Sequence, residues 1–128
     1  MNYLIDTHIA LWWWSDSSQL NKSVRSLMED DSNNIYFSAI SGYEIIQKHR
    51  LGKLSLPDKF IANLPLIVGD EGWKQLPLKL TETIKAASYE SDHRDPFDRI
   101  LAAQSQINDF VLISADKAFK NFPVKAHF

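Results

Sequence analysis

Apolar residues fall along the chain in two rhythms. Short unbroken runs, Tyr3-Leu4-Ile5, Ile35-Tyr36-Phe37 and Val111-Leu112-Ile113, stop at polar positions. They have the length and continuous hydrophobicity of strands buried on both faces. Between them, apolar residues recur at three- and four-residue spacing, as in Phe97, Ile100, Leu101 and Ile107, the period of a helix with one buried face. The pattern predicts strands at about residues 2–6, 35–39, 73–77, 110–114 and 124–127. It predicts helices at about 8–14, 20–30, 41–51, 57–68, 81–90 and 96–108, with a short turn or helix near 116–121. Strands alternating with helices imply an α/β fold whose parallel sheet is covered on both faces. The length fits one domain over residues 1–128.

Several boundaries are marked chemically. Ser41-Gly42-Tyr43-Glu44 has the form of a capping box, with serine at the cap and glutamate three residues on. Asp95-Pro96-Phe97-Asp98 puts an aspartate at a cap, proline in the first helical position and an acid in the first turn. Gly52 suits the position just past a helix C-terminus. Gly69 and Gly72 bracket a loop before Trp73.

Four acids stand where strands should end or helices begin: Asp6, Glu44, Asp98 and Asp116. Ligands of open α/β sheets bind outside the carboxyl ends of the strands. Two carboxylates held ~5 Å apart at an effective dielectric of about 20 repel by roughly 3 kcal/mol, so a cluster there calls for a cation. Each acid also has an ordinary use. Asp6 and Asp116 can cap the helical turns that follow, Glu44 can close the capping box, and Asp98 suits a helix dipole. Asp95, ahead of Pro96, is assigned to the cap. Thr7, Ser38 and Ser114 lie beside the acids and can support a carboxylate, a ligand or the local backbone.

Composition narrows the chemistry. There is no cysteine, which excludes disulfides and thiolate metal sites and fits a reducing cytoplasm. His8, His49, His93 and His127 lack the paired spacing of a zinc site. An oxygen-rich donor set selects Mg²⁺ or Mn²⁺. There is no G-x-S-x-G and no phosphate-binding glycine loop. The N-terminus has no basic region followed by a long apolar run, and no apolar stretch approaches membrane-spanning length, so neither a signal peptide nor a membrane location is expected. A net charge of −2 argues against global nucleic-acid affinity and leaves any such contact to local patches. Lys48-His49-Arg50 with Lys53, and His93-Arg94 with Arg99, are the two available; both also read as solvated surface.

Trp12-Trp13-Trp14 spans about 200° of a helix at 100° per residue, so the three rings cannot all face one core. One or two are expected to pack inward. The remainder suits a partner surface or a stacked nucleobase.

The strings Leu4-Ile5-Asp6-Thr7-His8, Ser38-Ala39-Ile40-Ser41-Gly42-Tyr43-Glu44-Ile45, His93-Arg94-Asp95-Pro96-Phe97-Asp98-Arg99-Ile100-Leu101-Ala102-Ala103-Gln104 and Leu112-Ile113-Ser114-Ala115-Asp116-Lys117-Ala118-Phe119 strongly resemble the PIN domain. More narrowly they resemble the VapC-type toxins of bacterial and archaeal toxin–antitoxin pairs. The resemblance runs essentially end to end, with the motifs in the family's order. It implies a three-layer α/β/α sandwich and a Mg²⁺- or Mn²⁺-dependent ribonuclease. The family's acids match Asp6, Glu44, Asp98 (rather than Asp95) and Asp116 as catalytic and metal-holding positions. Thr7 and Ser114 match supporting polar positions. Lys48, Arg50, Arg94 and Arg99 are candidates to hold RNA, since the acids themselves repel phosphate. The resemblance also implies a cognate antitoxin, a homodimer and RNA targets that include transfer RNA.

Two other readings stay open. An RNA-processing PIN nuclease without a toxin role shares the chemistry, though a small domain with no appended RNA-binding module favours the toxin. A non-catalytic interaction domain would use the acids only as caps. Aspartyl phosphotransfer wants a second aspartate two residues after the first, where this chain has His8.

Overall fold

The computed structural model describes residues 1–128. Five strands form one sheet: β1 (Asn2–Ile5), β2 (Asn34–Ser38), β3 (Lys74–Leu76), β4 (Val111–Ile113) and β5 (Ala126–His127). Their order is β3-β2-β1-β4-β5, and every neighbouring pair is parallel. The helices are α1 (Thr7–Trp14), α2 (Lys22–Glu29), α3 (Ala39–Arg50), α4 (Asp58–Ala62), α5 (Leu64–Asp70), α6 (Leu80–Ser88) and α7 (Pro96–Ile107), with a 3₁₀ turn at Lys117–Asn121.

Alternation along β1 sets the two cores. Tyr3 and Ile5 point to one face with Ile9, Val24, Ile35, Phe37 and Val68. Leu4 points to the other with Leu76, Leu101, Ala102, Leu112 and Phe119. Leu4 and Ile5 are both fully buried, as a central strand with helices on each face requires. The result is the α/β/α sandwich expected of the sequence.

Register then builds the functional edge. Ile5 is level with Phe37 of β2 and Ile113 of β4. One residue further on, Asp6, Ser38 and Ser114 stand side by side at the strand ends. The chain runs from β1 outward through β2 and β3, then returns to the far side of β1 for β4 and β5. That reversal opens a crevice beside β1 at the strands' carboxyl ends, where open α/β sheets bind ligands.

Three local expectations are corrected. First, α3 begins at Ala39, and its cap is Ser38, whose Oγ accepts from the Ile40 amide at 3.1 Å. Ser41 is buried inside the helix, so Ser41 and Glu44 form no capping box. Second, the helix expected over about 57–68 is two helices broken at Asn63. Pro65 offers no amide, and its ring opposes the carbonyl four residues back; Asn63 Nδ2 donates to Lys59 O at 2.7 Å and closes α4. Third, Gly69 lies within α5, while only Gly72, at φ +76°, makes the turn that β3 needs.

The tryptophans divide as helical geometry demands. Trp14 packs among Phe37, Phe60 and Trp73. Trp13 lies against Trp73 and donates from Nε1 to Glu71 at 2.9 Å. Trp12 turns the other way, toward His8.

Candidate active site

Asp6 emerges from β1 only 4% exposed. Its Oδ1 accepts from the Ile9 amide at 2.9 Å, capping α1. Its Oδ2 accepts from Ser114 Oγ. The same Ser114 hydroxyl accepts from the Asp116 amide at 2.9 Å, so one side chain ties the ends of β1 and β4 together. Asp116 caps the 3₁₀ turn through Ala118 N at 2.9 Å and is itself exposed. Asp6 and Asp116 share a cavity of about 200 Å³ with His8, Trp12 and Ala115. Burial raises the Asp6 carboxyl above its ordinary pKa, against the lowering effect of its bonds to Ser114 and Ile9, and the Glu44 carboxylate adds to the rise.

Glu44 sits one turn and a half into α3, 5% exposed. Oε1 accepts from Thr7 Oγ1 at 2.7 Å, and the same hydroxyl lies 3.0 Å from Ser41 Oγ. Oε2 is paired with Lys48 Nζ at 2.5 Å, one turn along the helix. Asp98 stands in the first turn of α7, where Asp95 caps Phe97 N at 2.9 Å. Its Oδ2 meets His93 Nε2 at 2.8 Å. Burial pushes the Asp98 carboxyl up to about 6; the His93 bond opposes this, and the carboxylates of Asp95 and Asp116 reinforce it.

The four acids therefore form a chain rather than a knot. Glu44 acts on Asp6, Asp6 meets Asp116 through Ser114, and Asp116 acts on Asp98. No three acidic or histidine side chains converge closely enough to chelate an ion. The donor chemistry nonetheless suits a hard cation: all four are oxygen ligands. Burial raises the pKa of two of them, Asp6 and Asp98, and a third, Glu44, already holds an ammonium group.

The supporting residues separate. Thr7 serves Glu44, and Ser114 serves Asp6 and Asp116. Ser38 turns away from the acids: it caps α3 and donates to Gln104 Oε1 at 2.5 Å. Gln104 in turn donates to the fully buried Glu82 at 3.2 Å. Among the basic candidates, Arg50 and Arg94 are exposed and Lys48 is half-buried against Glu44. Arg99 has a different occupation. Its guanidinium donates to the carbonyls of Ala86, Ala87, Tyr89, Ser91 and His93, which uses all five of its N–H groups and leaves none for phosphate. Sequence reasoning missed the Lys48 and His93 pairings. The first was legible as glutamate and lysine four apart on one helix; the second depends on how the loop before α7 folds back.

The PIN domain family model matches residues 3–125, and the chain belongs to that family. No protein of curated function matches it in sequence. Solved structures share its fold at low identity. The Rickettsia felis VapBC2 complex, bound to a promoter DNA fragment, superposes with a TM-score of 0.73 at 15% identity, covering 99% of this chain and 98% of that one. VapBC-1 of nontypeable Haemophilus influenzae gives 0.73 at 17% identity, covering 99% and 97%. FitAcB of Neisseria gonorrhoeae gives 0.64 at 21% identity, covering 98% and 96%.

Proposed function

We propose that the protein is a Mg²⁺- or Mn²⁺-dependent endoribonuclease and the toxin of a cytoplasmic toxin–antitoxin pair. The observation that carries this reading is the line of carboxylates at the sheet's switch point, with Asp6 and Asp116 joined through Ser114. Membership of the PIN family supports the nuclease chemistry. Similarity in fold to VapBC and FitAcB assemblies supports an antitoxin partner, and with it the homodimer implied by the resemblance.

Asp6, Glu44, Asp98 and Asp116 would hold the cation. When bound, the metal lowers the pKa of water and offsets the charge that develops on the phosphoryl oxygens. The chain's own residues do the positioning. Ser114 fixes Asp6 relative to Asp116, Thr7 orients Glu44, and His93 orients Asp98. Lys48 neutralises Glu44 and would exchange it for the cation. Lys48, Arg50 and Arg94 would hold the RNA backbone, transfer RNA being one candidate substrate.

Purified protein should cleave RNA with Mg²⁺ or Mn²⁺ and stop when EDTA is added. Asp6→Asn should abolish cleavage while the circular dichroism spectrum is retained. Full activity in EDTA, or near-native rates in Asp6→Asn, overturns the reading.

A further inference from the structure

A second cavity, of about 430 Å³, adjoins the acidic one. The two share His8 and Trp12 as a common wall. One side of the larger cavity is a single stripe of α1 and its C-cap, formed by His8, Trp12 and the cap residue Ser15 at helical spacing with Leu11 beside them. The other side is the end of α3 and the segment after it, from Lys48 through Lys53 to Leu56. Its volume falls within the range of small-molecule sites. Its charge is opposite to that of its neighbour: two lysines line it and no acid does. Lys53 is exposed and forms no ion pair, whereas Lys48 is paired with Glu44.

We propose that this cavity is a subsite for one unpaired nucleotide next to the cleaved phosphodiester, with the base stacked on Trp12 and the phosphate held by Lys53. The proposal rests on the nuclease reading and adds to it a position on the substrate. An acidic crevice repels RNA, so affinity must come from contacts at its edge. An indole face supplies sequence-tolerant stacking and an ammonium supplies the counter-charge. The hydroxyls of Ser15 and Ser55 stand at the rim as donors or acceptors for base edges. An apolar peptide could use Leu11, Leu54 and Leu56 but would leave Lys53 without a role.

The test uses full-length Asp98→Asn protein, so that RNA is bound without being cut, and a fluorescein-labelled single-stranded oligoribonucleotide at fixed Mg²⁺. Trp12→Ala should weaken binding roughly 5- to 150-fold, the range of base–aromatic stacking. Trp12→Phe should recover much of the loss. Lys53→Ala should weaken binding and reduce the slope of log affinity against log salt by about 0.7. An abasic residue walked along the probe should weaken binding at one position only, and Trp12→Ala should erase that position's effect. If Trp12→Ala disrupts the fold, the abasic walk and Lys53→Ala decide alone.

Unchanged affinity in these variants, with metal-dependent cleavage by the wild type intact, overturns the subsite and leaves the nuclease standing. Weakened binding of the antitoxin with RNA binding unaffected makes the cavity a protein dock and also overturns it. Failure of the wild type to bind or cut any RNA overturns both readings.

Discussion

At Asp98, burial and neighbouring carboxylates together favour the proton, and His93 only partly offsets them. A carboxyl with a folded pKa of about 6 and an ordinary unfolded value of 3.8 makes stability depend on pH. Its favourable contribution is complete below the unfolded value and is lost as pH rises through about 6. Asp6, raised in the same direction, adds to the trend. Metal-free protein in EDTA should therefore melt at a higher temperature near pH 5 than near pH 7.5. Asp98→Asn, which mimics the neutral acid, should narrow that gap and melt no lower than wild type at the higher pH. Added Mg²⁺ should raise the wild-type melting temperature most where Asp98 is ionised. Thermal denaturation checks all three; a wild type that stabilises as pH rises in EDTA would show that the carboxyls are not strained by their surroundings. Three of these acids were legible in the sequence because strand ends and helix starts are local signals. Glu44 was legible as a position but not in its surroundings: its apparent cap partner Ser41 is buried, and its true neighbours Thr7 and Lys48 come from strand register and helical spacing.

At the scale of elements, α7 shows two carboxylates three residues apart doing different work. Asp95 accepts from the helix's own amide, and Asp98 meets the loop. Asp95→Ala should cost roughly 0.5–2 kcal/mol of stability, measured by urea denaturation, with cleavage surviving well below the melting temperature. Asp98→Asn should lose cleavage with no such destabilisation. The reverse outcome would exchange the two assignments. Arg99, one residue on, ties α7 to the carbonyls of Ala86, Tyr89 and His93. Arg99→Lys cannot reproduce a planar fork of five donors. It should lower the melting temperature and leave the salt slope of RNA binding unchanged, whereas loss of a phosphate contact would reduce that slope by about 0.7. The sequence placed this arginine in a basic patch because charge is local and the carbonyls that capture it are not. The break between α4 and α5 was within reach, since Pro65 forbids the helix to continue; the start of α3 was not. Ser38 and Ser41 are both competent caps, and the choice is made where β2 stops pairing with β1.

For the whole molecule, the order of strands decides which chemistry is open. Placing β1 between β2 and β4 brings Asp6 and Ser114 together across the switch point, and α3, α7 and the turn after β4 supply Glu44, Asp98 and Asp116. The alternative route to RNA cleavage, attack by the 2′-hydroxyl, needs a base at that hydroxyl and an acid at the leaving oxygen. Of the four histidines only His8 lines the acidic cavity, so a second imidazole to complete that acid–base pair is lacking there. His93 Nε2 is committed to Asp98, His8 lies beside Trp12, His49 pairs with Asp58, and His127 lies against Ser23. On the proposed metal-dependent reading, water would attack from outside the RNA chain. The upstream fragment should then end in a free 3′-hydroxyl, and the downstream fragment should begin with a 5′-phosphate. A substrate with a 2′-deoxy sugar at the cleaved position should still be cut, because the missing hydroxyl is not the nucleophile. Mass spectrometry of the fragments reads the outcome directly. A 2′,3′-cyclic phosphate would mean that internal attack operates here, and the four acids would then have to act by placing RNA rather than by serving the hydrolysis of its backbone.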